Sequence, residues 1–321
     1  MGGDQAPEAI VAGAAQAARE YGLEIDLVGL PDAIRPLLAE EPGLNLVAAS
    51  EVVAMDEHPA QAVRGKPDSS MCVCARRCKE GKAQGWISAG NSGAILAAAL
   101  FIQGRVRGVE RPAIGSVVPT RGGLAYFLDV GANVDSKPDY LVQFAQMGSV
   151  YAQEMLGRRQ ARVALLSNGE EQGKGDERVR EVHQRLKASQ LNFVGNVEGK
   201  DIFAGKADVI VADGFVGNVA VKMAEATADF LFRTLRDELS SSLPGKLGGL
   251  LIRPRVQRLR SRLDWREFGG APLVGIEGVA VVAHGRSDAR AIKNAIRVAR
   301  DAVAHDLTAK IEQAVGVPVP G

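Results

Sequence analysis

The chain has 321 residues, 46% hydrophobic and 24% charged, with a formal net charge of +1. That is enough chain for a large core, and neither the charge nor the 5% aromatic content favours nucleic acid as a partner. No apolar run reaches the length of a membrane span, and Asp4 and Glu8 interrupt the start where a signal peptide would lie, so a cytoplasmic location is expected.

Short apolar runs alternate with helical patterns of ten or more residues, which predicts a parallel sheet covered by helices. The runs at 24–30 and 44–50 read as strands. Residues 69–83 read as a helix that opens on serine. It carries all three cysteines, Cys72, Cys74 and Cys78, with no histidine nearby in sequence to complete a metal site. Cys74 and Cys78 share a helix face, so these residues read as small core hydrophobes, and no metal is expected. "GWISA" is a strand and "GAILAAALFI" a helix. "RPAIGSVVPT" and "LAYFLDVG" (124–131) are strands, the second buried on both faces. A long helix covers 139–156. Strands at 161–169 and 207–214 each end at glycine, a helix follows over 218–239, and the last strands lie in 274–285. Residues 287–315 read as one helix.

The stretch 240–264 breaks the alternation. Pro244 and Pro254 bracket a small apolar group; Leu243, Leu247, Leu250, Leu251 and Ile252 together form an apolar set, and an arginine-rich helix is expected after it. Val256, Leu259 and Leu263 fall on one face of that helix, with Arg255, Arg258, Arg260 and Arg262 mostly elsewhere.

Glycine-bearing strand-to-helix turns recur: "SAGNSGA", "ADGFVGN" and "AHGRSDA". At a helix start the first N–H groups lack partners and the dipole is positive, so such a turn suits an anion, most often phosphate. The same residues also serve as ordinary helix caps. Gly90, Asn91, Ser92 and Gly93 of the first turn, Asp213, Gly214 and Asn218 of the second, and Ser287 of the third are candidates. "LDVGANVDSKP" (128–138) adds Asn133, Asp135 and Lys137, and "SNGEEQGKGDE" (167–177) adds Glu170, Glu171 and Lys174. Polar loops after buried strands tend to carry function. His284, at the end of a predicted strand, is expected to face the site. All these turns are expected to gather at one rim of the sheet, beyond the carboxyl ends of the strands. There is no Walker A loop, no GxSxG elbow and no complete GxGxxG.

"MGGDQAP", "SAGNSGA", "LDVGANVDSKP", "NGEEQGKGDE", "FVGNVEGKDIF", "ADGFVGNV", "GGAPLVGIEG" and "AHGRSDARAIKNAI" follow one another through nearly the whole chain. In this order they resemble the bacterial acyl-carrier-protein:phosphate acyltransferases, the PlsX family. The resemblance implies a three-layer α/β/α fold with a mostly parallel sheet, isocitrate/isopropylmalate dehydrogenase-like and shared with phosphotransacetylases. It implies a catalytic unit over 1–321, built as one body or two intertwined lobes, working as a homodimer without a cofactor. The implied reaction moves a fatty acyl group from acyl-acyl-carrier protein to inorganic phosphate. The acyl phosphate then passes to a membrane glycerol-3-phosphate acyltransferase. Asn133, Lys137 and His284 are expected as catalytic groups. Asp4, Gly90, Asn91, Ser92, Gly93, Asp135, Glu170, Lys174, Asp213, Gly214 and Asn218 are expected around phosphate and substrate.

Two departures stand out. Family members usually carry a short strand ahead of the MGGD motif that opens this chain, so an incomplete sheet edge is expected. Ser92 stands where threonine is common, which keeps the hydroxyl. Leu247, Leu250, Leu251, Arg255 and Arg258 suggest a peripheral contact with anionic membrane, with a dimer interface or carrier-protein dock as alternatives. The competing functions are a coenzyme A-dependent phosphotransacetylase, a decarboxylating dehydrogenase and a non-catalytic lipid- or carrier-binding module. Phosphate-dependent acyl release separates them.

Overall fold

The computed structural model describes residues 1–38 and 42–316. In chain order it contains α1 (Glu8–Tyr21), β1 (Ile25–Gly29), α2 (Pro31–Ile34), β2 (Leu44–Ala48), α3 (Pro59–Gly65), α4 (Ser70–Lys79), β3 (Gly85–Ser88), α5 (Ser92–Ala98) and β4 (Ala113–Thr120). There follow β5 (Gly123–Leu128), α6 (Pro138–Leu156), β6 (Val163–Leu166), α7 (Glu177–Ala188), β7 (Phe193–Val197), β8 (Val209–Val211) and α8 (Gly214–Ser240). The chain closes with α9 (Leu243–Arg262), β9 (Ala271–Val274), β10 (Val279–Val282), α10 (Ala289–Ala304) and α11 (Leu307–Val315).

Local sequence accounts for most of these elements. β8 is Val-Ile-Val and buried throughout, as a strand covered on both faces must be. α10 buries Ala291, Ile292, Ala295, Ile296, Val298, Ala299 and Ala302, a stripe at helical spacing that packs on β3 and β10. Burying one such Ile or Val fully contributes about 1.5–3 kcal/mol. Asn91, Asp176, Asp213 and Asp288 each cap the helix that follows through the side-chain oxygen, at about 1 kcal/mol per cap.

An eight-stranded sheet runs in the order β3-β10-β9-β4-β5-β8-β6-β7, with helices on both faces. β3 is parallel to β10, and β5, β8, β6 and β7 are mutually parallel. Between them β10–β9, β9–β4 and β4–β5 are antiparallel. Three reversals turn β5, β8, β6 and β7 opposite to β3 and β10. The carboxyl ends of the two sets therefore point to opposite edges, and the expectation of a single rim is wrong. The halves are also staggered. β4 pairs with β9 through Ala113 and Ile114 and with β5 through Gly115–Thr120.

β1 and β2 form a separate two-stranded parallel sheet. A cavity of about 700 Å³ is lined by residues of β1 and β3 together with Ile10, Met71, Cys74 and Ile292. Met1 lines it and lies near both Gly29 and Gly90.

Two further expectations change. Residues 287–315 form two helices, because the chain breaks at Asp306, which takes a left-handed φ of 51°. Pro254 does not bound an element: it lies inside α9, which is continuous. α9 folds back on the end of α8, with Gly249 beside Leu239, and buries none of its own residues. Leu243, Leu247, Leu250 and Leu251 are all more than 60% exposed, so the apolar group stays on the surface.

Candidate active site

The strand-end loops form two groups. The first gathers Met1–Asp4, Met55–Glu57, Ser88–Gly93 and His284–Ser287. The Asp4 N–H donates to Gly285 O at 2.8 Å. Gly3 packs so tightly that a Cβ there would come within 3.1 Å of the Ala89 methyl. A side chain here would press on Ala89, so glycine suits the close backbone approach of the opening motif. Asn91, 8% exposed, accepts from Ala94 N–H through Oδ1 and donates through Nδ2 to Met55 O and Glu57 O. Its side chain is fully used in holding α5 and the 55–57 loop, so the expectation that it reaches phosphate gives way to a structural role. Gly90 N–H is taken by Ser88 Oγ. Ser92 and Gly93 occupy the first two positions of α5, whose N–H groups have no acceptor within the helix. Ser92 is exposed.

His284 lies just beyond β10 and is exposed. Partial burial against the loop, then the neighbouring Arg286 guanidinium, push its imidazole below the ordinary histidine value; Glu225 and Asp4 oppose this. Ser287 is buried, and its Oγ has no hydrogen-bond partner among the described residues.

The second group gathers 129–137, 167–178 and 213–218 around a buried carboxylate, Asp129. Oδ1 accepts from the N–H groups of Ile114, Gly131 and Ala132, and Oδ2 from Asn133 N–H and Asn133 Nδ2. Burial pushes this carboxyl up, and the N–H donors pull it back down. Asn133 Nδ2 also donates to Pro112 O. Both its amide hydrogens are thus engaged within the loop, and the expectation of an oxyanion donor is corrected to a loop-holding role.

α8 starts against this loop. A Cβ at Gly217 would lie 1.9 Å from Asp129 O, so only glycine allows the approach. Asn218 lies beside Gly131, which has a φ of 144°. The N–H groups that begin α8 are occupied: Gly214 by Asn133 O, Phe215 and Val216 by Asp213 Oδ1, Gly217 by Asp213 O. The expected phosphate cradle at Gly214–Asn218 is therefore already filled by the protein.

Arg178, which the sequence reading passed over, joins the three loops. Its guanidinium donates to Ser136 O at 3.2 Å, Asp176 Oδ2 at 3.2 Å and Asp213 Oδ2 at 2.9 Å. Lys137 and Lys174 are exposed and have no ion-pair partner among the described residues. Asp135 is exposed as well. Glu170 points elsewhere, pairing with Lys206 at 3.1 Å and Lys200 at 3.4 Å. This corrects its placement at the substrate.

α8 connects the groups. Glu225 accepts from Arg286 at 3.5 Å, eleven residues after Gly214, a span of about 16 Å at helical rise. Asp129 and Arg178 gave weak sequence signals: one stands inside a quoted motif as an apparent strand end, the other inside a charged helix start. The 55–57 loop gave none.

Comparison with known proteins agrees with this architecture. A family profile described as "Fatty acid synthesis protein" matches residues 1–310. The chain is 51% identical over 318 residues to a phosphate acyltransferase of Heliobacterium modesticaldum, covering 98% of this chain and 95% of that one. It is 47% identical to the phosphate acyltransferase of Dictyoglomus turgidum, covering 97% and 94%. Among solved structures, a branched-chain phosphotransacylase from Enterococcus faecalis superposes with a TM-score of 0.61 at 16% identity, covering 95% of this chain and 97% of the other. A phosphotransacetylase from Streptococcus pyogenes gives 0.59 at 18%, covering 97% and 92%. These structures share the three-layer α/β/α fold. On the full-length match in sequence, the chain belongs to the phosphate acyltransferase family.

Proposed function

We propose that this protein is an enzyme that transfers a fatty acyl group from acyl-acyl-carrier protein to inorganic phosphate. The observation that carries the proposal is the 51% identity to a phosphate acyltransferase across 98% of the chain. The chemistry asks little of a protein nucleophile. A phosphate oxygen attacks the thioester carbonyl carbon, and the tetrahedral oxyanion collapses and expels the carrier thiolate, which takes up a proton. Acyl phosphate and free carrier protein result. Phosphate is already anionic and a thiolate leaves readily, so positioning and charge stabilisation remain as the enzyme's work.

The first loop group suits phosphate: Ser92 offers a hydroxyl and an N–H, Gly93 a second N–H, and His284 stands across the loop. Lys137 and Lys174 supply uncommitted positive charge to a second anionic part of the reactants. Losing one oxyanion donor typically costs about 2.7–4 kcal/mol of barrier.

The exposed hairpin of α8 and α9 supports a peripheral role. Leu247, Leu250 and Leu251 stand in the open beside Arg253, Arg255 and Arg258. A surface of this kind suits anionic lipid, and each basic residue near such a membrane contributes about 1 kcal/mol. Among the described residues no helix is long and apolar enough to cross a membrane. A homodimer would set two hairpins side by side and strengthen the contact, and a membrane glycerol-3-phosphate acyltransferase would consume the product there.

The test is phosphate-dependent release of acyl-carrier protein from its acyl thioester, with coenzyme A thioester as a parallel donor. Release from the carrier thioester supports the reading. Activity confined to coenzyme A would favour the phosphotransacetylase alternative.

A further inference from the structure

The loop that Asn91 holds has a side chain unlike anything else in the first group. Met55 is apolar, 49% exposed, and set among polar strand-end loops. Its methyl lies over Gly285, where a Cβ would come within 3.3 Å of Met55 Cε and within 3.5 Å of Asp4 Oδ1. Met55 therefore hangs over the junction of the opening motif with the loop that carries His284.

The backbone beneath it is fixed. Asn91 Nδ2 donates to Met55 O at 3.1 Å and to Glu57 O at 3.0 Å. Glu57 Oε1 accepts from Ala54 N–H and from Lys66 Nζ, both at 2.6 Å, and Lys66 Nζ also donates to Val52 O at 2.9 Å. These five bonds on both sides of one residue hold its backbone while the side chain lies half exposed with its methyl over Gly285. An exposed apolar side chain on so restrained a loop loses the hydrophobic gain of burial, unless something apolar covers it during function. Methionine is unbranched and polarisable, and it adapts to apolar partners of different shape.

We propose that Met55 is a specificity residue that packs on the alkyl segment of the acyl donor next to the reacting carbonyl. Asn91 is then a positioning residue, acting on substrate through the 55–57 loop. The inference rests on the phosphate acyltransferase reading and names the residue that meets the apolar half of its substrate. Asn91 links the two parts, capping the helix that Ser92 and Gly93 open and holding the backbone of Met55.

The experiment uses the purified full chain and acyl-carrier protein bearing short or long saturated acyl chains. KM for each donor and KM for phosphate are measured for wild type, Met55→Ala, Met55→Leu and Met55→Glu. Thermal denaturation checks that each variant is folded, which the exposure of the site favours. The expected result for Met55→Ala is a rise of about tenfold in donor KM, from lost apolar contact, with phosphate KM unchanged. Met55→Leu restores binding with an altered ratio between short and long donors, and Met55→Glu weakens every donor. Folded variants with donor KM values equal to wild type overturn the inference, as does a rise confined to phosphate KM. Absence of phosphate-dependent release by the wild type itself would sink the underlying reading, and the inference with it.

Discussion

Replacing Asp129 by Asn tests how the second loop group is built. The native carboxylate accepts five N–H bonds, two of them on Oδ2, at 2.7 Å from Asn133 N–H and 3.0 Å from Asn133 Nδ2. In Asp129→Asn, whichever oxygen becomes the amide nitrogen turns its acceptor position into a donor facing donors. With the oxygen kept at the Oδ1 position, three bonds survive and two donors lose their partner. A buried donor left unsatisfied costs about 1–3 kcal/mol, so the loss is about 2–6 kcal/mol in total. For a chain of this size that lowers Tm by roughly 3–9 °C. Denaturant unfolding of the variant measures the loss directly, and amide exchange localises it, with faster exchange at Gly131, Ala132 and Asn133. A stability within about 0.5 kcal/mol of wild type, the range of an ordinary surface change, would refute the view that this carboxylate organises the loop. Lys137 hangs from the same loop, so turnover falls with it.

Gly217→Ala should be more severe than an ordinary helix substitution, because the new methyl meets Asp129 O at 1.9 Å; overpacking of this kind costs about 1–3 kcal/mol or more, read by denaturant unfolding. Ser92→Ala should raise KM for phosphate while leaving Tm near wild type, whereas Asn91→Ala should lower both turnover and stability, since it removes a cap worth about 0.5–2 kcal/mol. The His284 imidazole should titrate below its ordinary value of 6.5. A lowered histidine pKa contributes stability above the unfolded-state value, and that contribution is lost as pH falls through the folded-state value. NMR titration gives the midpoint, and one at or above 6.5 contradicts the assigned environment. Leu250→Glu with Leu251→Glu should reduce flotation with anionic vesicles; unchanged binding removes the hairpin as a membrane contact.

Much of this was legible in the chain. The handovers at Ser88–Ser92, Ala212–Gly214 and Ala283–Ser287 follow from apolar runs that stop at small polar residues. The capping side chains Asn91 and Asp213 were among the candidates, while at the third turn the cap is Asp288, one residue beyond Ser287. The direction of the strands was harder to read, because pairing depends on contacts remote in sequence. Two signals nevertheless pointed to antiparallel pairs. Only Arg121 and Gly122 separate β4 from β5, and the four residues Gly275–Gly278 separate β9 from β10. Connections that short make hairpins, so two of the three antiparallel pairs were readable; the third, β4 with β9, joins strands remote in sequence, and it is this pair that turns the two sets opposite. Asn91 and Asn133 were misread for a different reason. An exposed donor and a donor satisfied within its own loop have the same sequence, and only the positions of Met55 O, Glu57 O and Pro112 O decide between them. Arg178 escaped because a basic residue after Asp-Glu at a helix start reads as a solvated pair, while its partners Ser136 and Asp213 are remote in sequence.

The central claim is that phosphate itself attacks the carrier-bound acyl group. Purified enzyme, acyl-acyl-carrier protein and labelled inorganic phosphate test it in a single reaction, followed by the appearance of label in acyl phosphate and of free carrier thiol. Equal amounts of the two products, dependent on phosphate and reduced in Ser92→Ala, are predicted. Release of carrier thiol without labelled acyl phosphate, or no release at any phosphate concentration, would contradict the account.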